Sequence, residues 1–283
     1  MMAVDRDLDA LMARAFLDWA RQIGFINQRE WASAPLPPPS LRAITSHDVE
    51  ERFLAMGLAD AVTCLQHLGR IHPPDGRRMR VLDLGCGCGR VTRYLSLLET
   101  LECHGADVNP DLVQWCRENL PRVNTVQCAT HPPLQFESNC FDLIAAVSVF
   151  THLPDDQSRS WIEELTRVLT PGGLLVMTTH GYSALVVTMT SPPHQAMLGL
   201  DQGTAGDTLD RLMEEHFVFH VYPAELAEQV HVGGNYGNAF VDAEWVRKNW
   251  RAPGLEVVQH APGGLRGFQD VVVFQRTSWQ DPA

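Results

Sequence analysis

The residues with the clearest chemical potential lie in one short stretch, VLDLGCGCGR (81–90), where Asp83 closes an apolar run and Gly85, Gly87 and Gly89 alternate with Cys86 and Cys88. Two sites can be written this way. The thiols could ligate a metal, which needs further ligands at matched spacing, and no CxxC or paired-His motif accompanies them. The glycines instead open a helix after a strand, which places backbone NH groups and a steric gap where a nucleotide-like ligand can approach. All seven cysteines fall between Cys64 and Cys140. An odd number crowded into core-like segments is a poor disulfide framework and a common use of small buried thiols.

The dinucleotide fingerprint G-x-G-x-x-G would require glycine at position 90, where this chain has Arg90. A carboxylate at the loop entrance would also face a pyrophosphate. Asp83 suits a ligand with an ammonium group and a sulfonium, such as S-adenosylmethionine. Asp107, at the end of the next apolar run, is placed to accept both ribose hydroxyls.

These residues need a scaffold, and from Met79 the sequence supplies one. Short apolar runs alternate with helical stretches, the pattern of a parallel sheet with crossover helices. MRVLDLG, LECHGAD, VNTVQC, FDLIAAVSV and LLVMTT read as strands. RVTRYLSLLE, PDLVQWCRENL and PDDQSRSWIEELTRVL read as helices, the last with Trp161, Leu165 and Val168 on one face. LEVVQH and DVVVFQR supply two further strands whose connection is too short for a crossover helix, so they pair antiparallel. The fold class is α/β, Rossmann-like, with a seven-stranded, mostly parallel sheet. Three parts are expected: a helical cap over 1–76, a cofactor-binding core over 77–180 and 251–278, and a substrate-covering insertion over 181–250. In the cap, residues 5–25 carry a helical apolar stripe, PLPPPS (35–40) reads as a rigid linker, and Thr45 to Asp48 resembles a capping box.

The blocks VLDLGCGCGR, GADVNP, FDLIAAVSVFTHLP and LTPGGLLVMTTHG resemble, in order, those of the class I S-adenosylmethionine-dependent methyltransferases, bacterial small-molecule enzymes most closely. The resemblance implies that Gly85, Cys86, Gly87 and Gly89 hold the methionyl part of S-adenosyl-L-methionine, with Asp83 near its amino group. It also implies that Asp107 binds the ribose and Val108 packs on the adenine. Thr130 and Ser148 complete this cofactor set. One departure stands out: many members carry an acid after strand three that contacts the adenine amino group, whereas VQCATHPPLQF offers Cys128, Ala129, Thr130 and His131.

Methyl transfer needs positioning of a nucleophile and, where it carries a proton, a base. His152, His180 and Tyr182 follow strands four and five at the ligand-binding end of the sheet and are the catalytic residues expected. His152 could equally hydrogen-bond its own loop. GGNYGNAF (233–240) reads as a closing lid, with Tyr236 and Trp245 lining a substrate pocket. His216, His220 and His231 could suggest a metal, but a half-buried strand explains the first two, and no metal is expected.

Lys and Arg number 22 against 34 Asp and Glu, a net charge of −12, which disfavours nucleic acid as a partner. No apolar run is long enough for a bilayer, and the opening MMAVDRDLDALMARAF carries acids where a leader would be basic. The expectation is a cytoplasmic enzyme that O-methylates a small metabolite in secondary metabolism, acting as a monomer or homodimer, away from membranes. An N-methyltransferase of an amine or peptide is the alternative within the class. A non-catalytic S-adenosylmethionine-binding module is the alternative outside it.

Overall fold

The computed structural model describes residues 35–45, 49–71, 76–223 and 235–277. The expected helix over 5–25, most of the capping box, residues 224–234 and His231 lie outside the described residues.

Seven strands form the central sheet: β1 (Met79–Leu84), β2 (Leu101–Asp107), β3 (Val123–Gln127), β4 (Phe141–Ala146), β5 (Leu169–Thr179), β8 (Leu255–Leu265) and β9 (Gln269–Arg276). Their order is β3-β2-β1-β4-β5-β9-β8, parallel as far as β5, with β9 antiparallel to both β5 and β8. The seven-stranded Rossmann-like sheet is therefore as expected. Strand order reverses between β1 and β4, so the connections leave on opposite faces and open a crevice at their carboxyl ends. Asp83 and Ser148 flank that crevice.

Side chains alternate along each strand, and the two sheet faces bury separate cores. Val81, Cys103, Leu143 and Val176 pack under α2 (Glu50–Leu65), α3 (Thr92–Leu95) and α4 (Pro110–Asn119). Leu82, Leu84, Ile144 and Met177 pack against α5 (Asp155–Val168) and α9 (Ala243–Asn249). The expected face of α5, Trp161, Leu165 and Val168, is buried in the second core.

Three readings change at this level. Part of PLPPPS is helical: α1 spans Pro39–Thr45, with only 35–38 extended before it. The helix expected over 90–99 shrinks to α3, because Leu97 and Leu98 donate to Tyr94 and Leu95 and the chain tightens before entering β2. The insertion, which showed no period in sequence, is regular. It contains α6 (Tyr182–Thr190), α7 (Pro192–Leu198), α8 (Gln202–Glu215) and a hairpin of β6 (Phe217–Val221) with β7 (Gly237–Val241). The inward face of α8 is Ala205, Thr208 and Leu212, a helical stripe disguised by a small and a polar residue. No described helix is long and apolar enough to cross a membrane.

Candidate active site

The loop after β1 is built by its glycines. Gly85, Gly87 and Gly89 all adopt left-handed φ, at 70°, 55° and 77°. A Cβ on Gly87 would strike Thr45, and one on Gly89 would strike Leu120, so glycine is needed for shape as well as for dihedral. The loop is stitched to β2: Gly85 N donates to Ala106 O at 2.7 Å and Gly87 N to Asp107 Oδ2 at 2.8 Å. Asn109 N donates to the other oxygen, Oδ1, at 2.9 Å, while the Asn109 side chain caps α4. Asp107 is thus held rigid and buried, and each oxygen keeps a lone pair for a ligand. Burial pushes its carboxyl up, against the pull of those backbone NH groups.

Asp83 is buried beside it and accepts a hydrogen bond from the Thr92 hydroxyl. Burial raises its carboxyl to about 7, opposed by the Thr92 hydrogen bond and the positive charge of Arg90. Two desolvated carboxylates next to NH-rich backbone make a site for a cation with hydroxyls rather than for a phosphate. That is the character of S-adenosylmethionine, with its ammonium, sulfonium and ribose, and these residues fit it. The cysteines do not make a competing centre: Cys86 and Cys88 are free thiols, burial pushes Cys88 up to about 11, and no metal-ligating cluster gathers among the described residues.

A cavity of about 1020 Å³ runs along this end of the sheet. It exceeds the usual size for one small ligand, leaving room for a cofactor and an acceptor together. Asp83, Gly85, Cys86, Gly87, Asp107, Val108, Thr130 and Ser148 line one part of it, and His152, His180 and Tyr236 line another. Gly89 lies outside the lining and shapes the loop from behind, against Leu120 and Cys116.

The second part gathers neutral aromatic side chains, while Arg52, Arg90 and Arg266 also line the cavity. His152 stacks on Tyr236 with ring centroids 4.9 Å apart and meets His180 edge-on at 6.3 Å. His152 Nδ1 lies 3.0 Å from Gly237 O. A carbonyl can only accept, so Nδ1 carries the proton and Nε2 keeps its lone pair. Burial lowers the His152 pKa, and burial with the nearby His152 lowers that of His180 to about 3, so both rings are neutral near pH 7. His180 Nδ1 is buried without a protein partner among the described residues.

Two expected residues are elsewhere. Tyr182 is not part of the lining: its hydroxyl donates to Asp242 Oδ2 at 3.1 Å and its ring is part-exposed, because α6 turns it away from the crevice. Trp245 is also outside, stacked on Phe217 with its indole NH on Asp155 Oδ1 at 2.7 Å. Helical spacing suggested burial, and burial is against α5 rather than against a ligand. In the described part of the expected lid, a Cβ on Gly237 would collide with His220 O, so glycine is needed there for space. β7 is bound to the core, with Ala239 N on Thr151 O at 2.8 Å and Val241 N on His180 O at 2.9 Å. His216 and His220 also part company, one on Asp242 and one on Thr208.

Sequence reasoning missed Gln157, His194, Tyr222, Phe268 and Gln269, all on the cavity wall. Gln269 and Ser148 exchange hydrogen bonds at 3.1 Å. The antiparallel turn into β9 returns 268–269 to the crevice, a cue present in the predicted topology. Tyr222 and His194 arrive on the insertion and carried no local signal. Arg90 and Arg266 both reach Asp60 on α2, which locks the cap helix and the β8–β9 turn over the glycine loop.

Comparison with known proteins agrees with this geometry. Residues 81–173 match the family model described as a methyltransferase domain. A chloroplastic tocopherol O-methyltransferase of Arabidopsis thaliana is 34% identical over 107 residues, 35% of this chain and 30% of that protein. The glycine/sarcosine/dimethylglycine N-methyltransferase of Actinopolyspora halophila is 35% identical over 106 residues, 35% of this chain and 18% of that protein. The chain thus spans well under half the length of these curated relatives. Among solved structures, a putative sarcosine dimethylglycine methyltransferase from Galdieria sulphuraria superposes with TM-score 0.50 at 15% identity, covering 82% of this chain and 88% of that one. The chain in a complex of the Haloferax volcanii Trm112 methyltransferase activator and a putative methyltransferase gives the same score at 16% identity, covering 86% and 100%. Residues 81–173 thus match a methyltransferase domain model, and the seven-stranded sheet that carries them has the fold of these two solved structures.

Proposed function

We propose that the protein transfers a methyl group from S-adenosylmethionine to a hydroxyl on a small, uncharged, at least partly aromatic molecule. The observation that carries this reading is the continuous cavity joining the buried Asp83 and Asp107 to the neutral His152, His180 and Tyr236. The bound cofactor supplies an activated methyl carbon on a sulfonium leaving group. The glycine loop holds the methionyl part, Asp107 the ribose, and Asp83 faces the ammonium. His152, with Nδ1–H tied to Gly237 O, offers Nε2 to the acceptor's proton, and the neutral His180 ring lines the same wall. Rings along the wall exclude water and favour a flat acceptor.

N-methylation of an amine is the second reading. It draws on the same wall, because Tyr236 and Tyr222 present ring faces to an ammonium group, and on relatives that include N-methyltransferases. The residues 181–223 and 235–250 act in either case as a fixed cover on the acceptor, and a monomer or homodimer of the chain would serve. A methylation screen with radiolabelled cofactor over phenols, hydroquinones, amines and sugars separates the readings. Turnover on phenols supports the first; turnover confined to amines replaces it with the second.

A further inference from the structure

The loop after β3 lacks the acid that would receive an adenine amino group, so a different acceptor must stand at that end of the cavity. Asp107 places the ribose, and beyond it Val108, Cys128, Thr130, Gln157 and Trp161 line the wall. His131 stands on the same wall, and the acceptors beside it are engaged or weak. Thr130 O already takes Gln157 Nε2 at 2.5 Å and Trp161 Nε1 at 3.3 Å, which uses both of its lone pairs. The Thr130 hydroxyl is exposed and 3.0 Å from His131 Nδ1. Cys128 is a protonated thiol, and its sulfur accepts weakly.

Gln157 remains. It is 8% exposed, on the first turn of α5. Thr130 O can only accept, so the atom facing it is the amide nitrogen, and the oxygen Oε1 is the free end. No described residue donates to it. Gln157 lines the cavity, so an oxygen without a protein donor there can receive a ligand NH. Its neutrality also avoids a third carboxylate beside Asp83 and Asp107.

Resting on the reading of this cavity as the S-adenosylmethionine site, we propose that Gln157 Oε1 receives the adenine amino group and sets the preference for adenine. The backbone carbonyl of Thr130 holds the amide in that orientation and is the positioning group. A base with an oxygen at the same ring position would meet Gln157 acceptor to acceptor.

The test is calorimetric binding of S-adenosylhomocysteine and S-inosylhomocysteine, which differ by an amino group against a carbonyl and by an acceptor against an N–H at the adjoining ring nitrogen. The wild type is expected to prefer the adenosyl ligand by about tenfold or more. Gln157→Leu should reduce that preference below about threefold, chiefly by weakening the adenosyl ligand. Gln157→Asn keeps the amide but draws it back by one methylene, and gives the same reading if the leucine variant does not fold. Asp107→Ala should weaken both ligands together and leave the preference intact. A preference unmoved in both Gln157 variants overturns the assignment while the cofactor reading stands. Failure of the wild type to bind S-adenosylhomocysteine overturns both.

Discussion

Replacing Asp83 by asparagine should make the protein more stable and its site weaker at the same time. Asp83 is 2% exposed, and burial raises its carboxyl from 3.8 to about 7. The folded value lies above the unfolded one, so the folded state keeps its proton longer. The carboxyl therefore costs nothing below about pH 4, costs progressively more as pH rises toward about 7, and costs a constant amount above that. At 1.36 kcal/mol per pH unit, the interval amounts to about 4 kcal/mol. The amide oxygen in Asp83→Asn would still accept the Thr92 hydroxyl, so the variant loses the buried charge and keeps the contact. Urea unfolding at pH 4.5, 6 and 8 should show the wild type losing stability across the series relative to Asp83→Asn. At pH 8 the variant should be ahead by roughly 2–4 kcal/mol. Binding of S-adenosylhomocysteine should run the other way. The wild type should tighten as pH rises to about 7, with proton release, and the variant should bind roughly 10- to 100-fold more weakly through loss of a charge-assisted hydrogen bond. A variant less stable than wild type at pH 8, with unchanged affinity, would refute the reasoning, because Asp83 would then be a satisfied structural anion.

Other perturbations reach different parts of the account. His152→Gln should slow methyl transfer by about 10² to 10⁴-fold, with S-adenosylhomocysteine affinity nearly unchanged; equal loss of both would make His152 structural. Because burial lowers the His152 pKa, kcat at saturating cofactor and acceptor should be flat above pH 6.5 and fall only in more acidic buffer; a fall in kcat centred above 6.5 would contradict this. Asp60→Asn leaves Arg90 and Arg266 without their buried carboxylate and should cost about 3–5 kcal/mol in urea unfolding; a near-neutral result would mean that the cap is held by packing alone. Activity should survive EDTA treatment, and loss restored by magnesium or zinc would place a metal ion in the reaction.

The parts of the fold that were legible in sequence are those specified locally. Asp83 and Asp107 stand at the ends of strands whose apolar runs fix where they stop, and the parallel register that sets Asp83 opposite Gly105 brings both acids to one crevice. The insertion was illegible for the opposite reason. Its α8 stripe uses Ala and Thr, and β7 takes its second edge from loop backbone at 151 and 180, which no periodicity reports. Tyr182 and Trp245 were placed by proximity in sequence to site residues, yet Asp242 and Asp155 draw their polar ends out of the cavity. Gln157 gave no signal because its role depends on Thr130, a residue of a different loop.

Asp107 holds the ribose of an adenosyl cofactor whose methionyl part lies on the glycine loop, and the sharpest test of this is calorimetric titration of wild type and Asp107→Ala with S-adenosylhomocysteine. The wild type should bind one-to-one, the variant about 1–3 kcal/mol more weakly with its fold retained, and NADH should give no heat with either protein. Equal affinity in wild type and variant, or NADH binding that competes with S-adenosylhomocysteine, would contradict it.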